Sequence, residues 1–299
     1  MSLAFDLDNL VTVEFGVGRD TDTERVFGCI PVDIHVQDAL QEMADTTWQV
    51  LSTMEQDPAR YDPAEKHASQ EYLILPLADE LSSSMRELHE AINIPLDVNA
   101  LNEPSQIFSY FTRFTDNQGR HLTALRRATQ FKGVLKNRLI RLVTDDLRII
   151  EDKVFKLDGD FDLLIDDENI HILRPAGFEF AGQLQNAVMQ AVPTNIITLQ
   201  NDLDFVNFES ISTYASIHPR AARYIASIRS AAETQNISRL RLEELCSSTG
   251  VEYTEQDGRL YVNNGNVMGF LEVLDRRRYE LELVDGLPEQ FRAQSRQRL

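Results

Sequence analysis

The sequence has few cysteines and no long apolar run. Its 299 residues include two cysteines, Cys29 and Cys246, which lie far apart and match no metal-binding spacing. Without a disulfide framework, a reducing cytoplasm is the simplest compartment. No apolar run approaches the roughly 18 residues that span a bilayer, and the start MSLAFDLDNL has acids where a signal peptide has Lys or Arg. We therefore expect a cytoplasmic chain that is peripheral at a membrane only through a partner.

The motifs of common cofactor and catalytic sites are also missing. The six histidines are scattered, with no pair at the i, i+3 or i, i+4 spacing that favours zinc. The glycines Gly16 and Gly18 lack the third glycine and the helix of a dinucleotide-binding loop. We therefore predict no cofactor, no metal site and no catalytic residue.

One acidic cluster, LDGDFDLLIDDENI, needs a separate explanation. The spacing of Asp158, Asp160 and Asp162 is that of a calcium loop, but such a loop needs Gly at its sixth position and Glu at its twelfth. Leu163 and Asn169 stand there instead, which argues against calcium. Asp162 lies between two apolar residues of a predicted strand, so a buried carboxylate there requires a basic side chain or a backbone N–H as its partner.

A Mg²⁺-dependent nuclease is the enzymatic alternative. Such an enzyme needs carboxylates, often with a lysine, that converge on the metal and a phosphate. The tripeptide EDK at 151–153, with Asp145 and Asp146 upstream, has the required residue types. Acids and lysines are common near turns, so this match has little specificity.

Charge is distributed very unevenly along the chain. The net charge is -19, yet residues 105–143 hold eight basic residues and one acid. Residues 1–104, in contrast, hold 21 acids and five basic residues. An acidic average repels nucleic acid and anionic lipid, so binding to a polyanion has to depend on this local positive region.

The centre of the positive region is the stretch RHLTALRRATQFKGVLKNRLIRL, residues 120–142, which contains no acid. Lys and Arg spread along a surface are what phosphate contacts need. The hydrophobic spacing fits either one helix or successive strands. A solvated face that pairs with the acidic N-terminal third is an equally good interpretation of the charge. The candidate DNA contacts are Arg120, Arg126, Arg127, Lys132, Lys136, Arg138 and Arg141.

The hydrophobic patterns predict an α+β fold. Residues 1–104 form an acidic α+β unit, with a strand at 9–18, a helix over Val36–Met54, a strand at 71–75 and a helix from Leu77 to Ile92. The second domain, 105–299, begins where the charge changes sign.

The second domain begins with a β meander and ends in helices. The meander, 105–174, is an antiparallel sheet with turn-rich segments between its strands. The part at 175–299 is helical with some strand, including a helix that ends at Pro193, one after Pro219, one from Ser238 to Gly250, and a hairpin around Asp257-Gly258.

The stretch DKVFKLDGDFDLLIDDENIHILRPAGFEFAG, 152–182, resembles the KwaB-like proteins of the Kiwa anti-phage defence system. The family pattern is FkLd, then fDlli, a polar turn, IyIl and a following FE. The end of the chain, with Ser295, Arg296 and Leu299, is also similar to the family, although Arg296 stands where Lys is common. The resemblance covers 105–299. The matching positions are Phe155, Leu157, Asp158, Phe161, Asp162, Ile165, Ile170, Ile172, Leu173, Phe178 and Glu179.

The resemblance implies a non-enzymatic cytoplasmic effector that engages phage DNA. It also implies a small transmembrane KwaA-like sensor at the inner membrane as partner, and self-association as a homodimer or higher homo-oligomer. It favours strands over one helix for 120–128, so that Arg126 and Arg127 point to opposite faces. The DNA contacts themselves are inferred from charge alone.

Two interpretations remain besides the nuclease alternative. One is an antiviral-defence effector that binds DNA without reading its sequence, since no helix-turn-helix or zinc-finger spacing is present. The other is a protein–protein scaffold in which the basic stretch docks on acidic residues of a partner.

Overall fold

The computed structural model describes residues 5–21, 25–54, 57–90, 95–96, 106–128, 140–143, 146–149, 157–231 and 234–293. The chain divides into two compact units, one of residues 1–61 with 67–183 and one of residues 62–66 with 184–299. Helices combine with a sheet that is antiparallel except at one edge, so the predicted α+β class is confirmed.

The first unit is built on an eight-stranded sheet with the order β2-β1-β5-β6-β9-β10-β4-β3. All neighbours are antiparallel except β3 and β4. A separate hairpin joins β7 and β8. The strands are β1 (Leu10–Asp20), β2 (Arg25–Ile30), β3 (Ala59–Arg60), β4 (Leu73–Pro76), β5 (Ile107–Asp116), β6 (His121–Arg127), β7 (Ile140–Val143), β8 (Asp146–Ile149), β9 (Leu163–Ile165) and β10 (Asn169–Ile172).

The division predicted at 104/105 does not coincide with the two units. Strand β1 pairs with β5 along nearly its full length, from Leu10 opposite Asp116 to Arg19 opposite Ile107. Strand β4 pairs with β10 in the same way. The change of charge at 104/105 therefore does not divide the fold, since hydrogen bonds of one sheet join the segments on either side of it.

Helix α1 (Ile34–Thr53) covers one face of this sheet. Its N-cap Asp33 accepts a hydrogen bond from the Val36 N–H. Leu40 and Met43 belong to the same core cluster as Tyr110 of the sheet. The unit also contains α2 (Ser83–Glu90) and α3 (Pro175–Ala181).

The second unit is mainly helical. Its core collects apolar side chains from all its helices, including Phe208, Ile225 and Phe270, none of them more than 1% exposed. The elements are α4 (Gln185–Gln190), α5 (Val192–Asp202), α6 (Glu209–Ala215), α7 (Pro219–Arg229), α8 (Arg239–Ser248) and α9 (Val267–Leu274), with hairpins β11 (Thr254–Gln256) with β12 (Arg259–Tyr261) and β13 (Arg278–Val284) with β14 (Leu287–Arg292).

Most local predictions for this unit are confirmed, with one exception. Asp257 and Gly258 both have positive φ in the turn between β11 and β12, as predicted. The helix expected to end at Pro193 is wrong: the chain breaks into α3 and α4, and Pro193 lies in the first turn of α5. Proline is well tolerated there because the N–H groups of the first turn have no acceptor within the helix, so no hydrogen bond is lost. None of the described helices is long and apolar enough to cross a bilayer.

A buried histidine gives the first unit a dependence on pH. His89 is 5% exposed, and its Nδ1 lies 3.0 Å from Thr123 Oγ1. Burial lowers the pKa of His89, and the Arg113 cation lowers it further, although Asp167 opposes both. A histidine with a depressed folded pKa contributes stability that is present above its unfolded pKa, near 6.5, and lost as pH falls through the folded value.

We therefore expect the free energy of unfolding to fall on acidification below about pH 6.5. In the variant His89→Gln this fall should be smaller. Urea titrations of both proteins at several pH values measure this difference. Parallel curves for the two proteins would show that His89 does not contribute.

Candidate nucleic-acid interface

The structure separates the candidate DNA contacts into distinct environments. Arg126 and Arg127 lie on β6, so this part of the basic stretch is a strand and the helical alternative is wrong there. Arg120 lies in the turn before β6. Arg141 lies on β7, opposite Arg148 in register. Lys132, Lys136 and Arg138 lie outside the described residues.

Arg120 forms an ion pair with a buried carboxylate. Its Nε lies 2.7 Å from Oδ2 of Asp116, which is 1% exposed. Burial alone would raise the pKa of Asp116, but hydrogen bonds from Arg120 and Gln118 outweigh it and hold that pKa below its usual value. Arg120 also lies about 20 Å along β6 from Arg126, at 3.3 Å per residue. These two arginines therefore do not belong to one contact patch.

Arg126 is surrounded by carboxylates. Its Nη1 lies 2.6 Å from Asp162 Oδ1, and its Nε lies 3.2 Å from Asp158 Oδ2. Asp160 Oδ1 is 3.5 Å away. The Tyr110 hydroxyl donates to Asp158 Oδ2 at 2.9 Å. With 15% of its side chain exposed, Arg126 is an internal counter-ion of this cluster.

Asp162 lies at the centre of the cluster, as its place in the sequence required. The Arg127 N–H donates to Asp162 Oδ2 at 2.8 Å, in addition to the Arg126 ion pair. The Asp162 carbonyl accepts from the N–H groups of Leu173 and Arg174, both at 2.9 Å. The prediction that this carboxylate has a basic side chain or a backbone N–H as partner is confirmed on both counts. Asp162 thus links β6 to the start of α3.

The ionisation of the cluster reflects a balance of burial and charge. Burial by itself lowers the pKa of Arg126, but the carboxylates of Asp162 and Asp158 outweigh this effect and raise it. Burial raises the pKa of Asp162, and Arg126 and the Arg127 N–H only partly offset that rise. The guanidinium therefore stays charged, and its charge favours the ionised form of the Asp162 carboxyl group.

A glycine of α3 makes room for Asp162. A Cβ added at Gly177 would lie 2.2 Å from Asp162 Oδ2, closer than any real contact. We expect Gly177→Ala to lower the free energy of unfolding by about 1–3 kcal/mol, the usual cost of overpacking. Gly159→Ala is the control, since a Cβ there has no neighbour within 4 Å. Urea denaturation of both variants measures the difference, and equal stability would contradict this packing.

Arg127 differs from its neighbour in its surroundings. Successive strand residues point to opposite faces, and the Arg127 guanidinium lies 3.9 Å from the centre of the Phe180 ring. Among the described residues no carboxylate pairs with it, and the side chain is half-buried. The guanidinium is therefore held in place by an aromatic ring and keeps its donors for another ligand.

The Phe180 ring is itself fixed from several sides. It lies edge-on to Phe108, with 6.2 Å between ring centres. Arg25 lies 5.1 Å from the Phe180 ring centre and donates from Nη1 to the Phe180 carbonyl at 2.7 Å. Arg25 also pairs with Asp20 at 2.8 Å. Arg127 thus stacks on a ring that is fixed in place, while the guanidinium of Arg25 is already used in bonds within the fold.

The acidic cluster is occupied by arginines. Arg174 donates to Asp160 Oδ2 at 2.6 Å and to the Phe161 carbonyl at 3.0 Å. Within the described part of the chain, no group of three or more His, Cys, Asp or Glu side chains could hold a metal ion. The EDK segment at 151–153 and Asp145, invoked for the nuclease alternative, lie outside the described residues.

Sequence reasoning did not find Arg174 or the role of Phe180. Both lie in RPAGFEF, which reads as the start of a helix. The available signal was the pair of acids Asp160 and Asp162, which together need more positive charge than Arg126 alone provides. No pattern in the sequence indicated that Phe180 would lie beneath Arg127, because the two are 53 positions apart.

A family model described as Kiwa protein KwaB-like matches residues 105–283, more than half of the chain. No curated protein and no solved structure matches the chain significantly. The matched range begins just before β5 and includes β6, the acidic cluster and α3.

Proposed function

The chain belongs to the KwaB-like family of Kiwa anti-phage defence proteins, and we propose that it is a defence effector that binds DNA through phosphate contacts. The observation that carries the proposal is that the described arginines of the basic stretch differ in whether a carboxylate pairs with them. Arg120 and Arg126 are neutralised by carboxylates, whereas Arg127 has no such partner among the described residues.

The contact surface that follows is smaller than the whole basic stretch. It comprises Arg127, Lys132, Lys136, Arg138 and Arg141, with Arg148 opposite Arg141 on the β7–β8 hairpin. Residues 128–143 carry no acid, so the segment itself adds no negative charge to this surface. Cations of this kind bind the DNA backbone and give little base preference.

In this proposal the protein acts by binding and performs no catalysis. Asp158, Asp160 and Asp162, the carboxylates of the acidic cluster beside the basic stretch, already bind arginine and tyrosine side chains. A metal would have to displace those cations before it could reach a phosphate. The proposal also includes self-association and a membrane sensor subunit as partner, both of which rest on the family.

The direct test is a mobility-shift titration with two 30-base-pair duplexes of unrelated sequence. We expect both duplexes to bind with similar affinity at low salt. We also expect affinity to fall steeply as salt rises, because bound cations are released from the DNA. Strong preference for one duplex, or no shift at low salt, would contradict the proposal.

A second assay separates binding from cleavage. Plasmid DNA incubated with the purified protein and Mg²⁺ should remain intact. Cleavage that disappears in Asp158→Asn or Asp162→Asn would establish the nuclease alternative instead. DNA left intact but also unbound, with an oligomer that dissociates when the basic residues are reversed, would establish the scaffold.

A further inference from the structure

The hairpin of β13 and β14 carries exposed apolar side chains. Five of them keep between 37% and 63% of their surface exposed, although side chains of these types are usually buried. Apolar surface concentrated in this way on a folded unit is characteristic of an interaction site. The five residues are Tyr279, Leu281, Val284, Leu287 and Phe291.

The strand register places all five on one face. Tyr279 is opposite Phe291, and Val284 is opposite Leu287. Leu281 is opposite Glu289, and a register shift between Leu281 and Val284 keeps both on this side. Directly opposed residues point to the same side of a sheet, and alternate residues share a face. The hairpin therefore has one apolar face, which contains a single acid.

The opposite face of the hairpin binds its own unit. Arg278 donates to the Thr249 carbonyl, and Gln290 Nε2 donates to the Ser248 carbonyl at 2.5 Å. Arg292 Nε donates to Glu272 Oε1 at 3.0 Å. A Cβ at Gly269 would lie 3.0 Å from Arg278 Nη1, so the glycine lets this guanidinium lie against α9. These polar bonds fix the orientation that leaves the apolar face in solvent.

The aromatic part of the exposed face is preorganised. The rings of Tyr279 and Phe291 are stacked, with 5.7 Å between their centres and 20° between their planes. A pair of rings already in contact loses little conformational entropy when a partner covers it. Aromatic residues of this kind are common anchors of protein interfaces.

The charges of the hairpin indicate what covers it. The hairpin has four acids, Glu280, Glu282, Asp285 and Glu289, while both of its arginines bond inward. Glu289 lies on the apolar face, and Glu282 and Asp285 lie beside it at the register shift and in the turn. Two copies of this face would therefore bring like charges together, and an anionic membrane would be repelled. We propose that the face docks a segment of a different protein that carries apolar residues flanked by Lys or Arg. Cytoplasmic segments of membrane proteins have this excess of Lys and Arg, so the proposal specifies the partner surface within the proposed function, on which it rests.

The experiment measures binding of the purified full chain to the small membrane subunit of the same Kiwa system, held in nanodiscs of neutral phosphatidylcholine. We expect Tyr279→Ser, Leu281→Ser and Phe291→Ser together to weaken binding at least about tenfold, as loss of an anchor cluster does. The control combines Ile197→Ser, Ile217→Ser and Leu240→Ser, whose side chains are 63%, 69% and 66% exposed. It should bind like the wild type. Glu282→Lys, Asp285→Lys and Glu289→Lys together should weaken binding and reduce its salt dependence.

Each other outcome overturns the proposal in a distinguishable way. If the wild type binds and the hairpin variant binds equally well, the proposed surface fails while the partner association stands. If the wild type does not bind the subunit, the association fails as well. If the hairpin variant instead dissociates an oligomer in light scattering, the occupant is a second copy. If the variant loses binding to empty nanodiscs, the occupant is lipid.

Discussion

Arg126→Ala is expected to lower the free energy of unfolding by about 3–5 kcal/mol, the range for removing one partner of a buried ion pair. The reason is the set of carboxylates around this guanidinium. Without it, Asp162 at 3% exposure loses a 2.6 Å ion pair, and Asp158 loses its 3.2 Å contact. Arg174 Nη1 is 3.9 Å from Asp162 and offers little replacement.

The measurement is urea denaturation at neutral pH, with Arg60→Ala as control. Arg60 also pairs with an aspartate, Asp79, at 2.7 Å, but 70% of its side chain is exposed. Exposed pairs of this kind contribute about 0–1 kcal/mol. Equal losses in the two variants would show that the cluster around Asp162 does not stabilise the fold.

The second large effect concerns DNA. The combined variant Lys132→Glu, Lys136→Glu and Arg138→Glu is expected to lose affinity for duplex DNA on the order of 100-fold at low salt, because each reversed cation removes a contact and adds repulsion. These residues belong to the acid-free segment 128–143. The measurement is the mobility shift described above, with melting temperatures to verify folding.

A charge-matched control separates local from average electrostatics. Arg60→Glu, Arg241→Glu and Arg259→Glu together change the net charge equally but lie outside the basic stretch, on exposed side chains. We expect this control to lose far less affinity. Similar losses in both triple variants would mean that net charge, and not the basic stretch, determines binding.

The sequence was sufficient for the local elements but not for how they associate. Alternating and helical patterns predicted β1, α1, β5 and the β11–β12 hairpin, because each depends on residues close in sequence. The division of the chain could not be predicted, because the β1–β5 and β4–β10 pairings are contacts between distant segments. Helix α9 has too few turns for its periodicity to stand out from an apolar run.

The candidate site shows the same limit in its charges. The buried Asp162 could be recognised from its apolar neighbours, and its need for a cation followed from physical chemistry alone. The sequence could not show which arginine meets that need, because Arg126 and Arg127 are adjacent and equally basic. Only the alternation of the strand, with Asp162 on one side and Phe180 on the other, distinguishes the structural arginine from the candidate contact.

The central claim is that Arg127 and the cations that follow it in the basic stretch bind DNA phosphates. Its most direct test is the slope of the logarithm of DNA affinity against the logarithm of salt concentration, measured for wild type, Arg127→Ala and Arg120→Ala. The account predicts that the slope of Arg127→Ala is smaller by about one, the value for one lost phosphate contact, and that Arg120→Ala keeps the wild-type slope. An unchanged slope in Arg127→Ala, or an equal decrease in both variants, would contradict it.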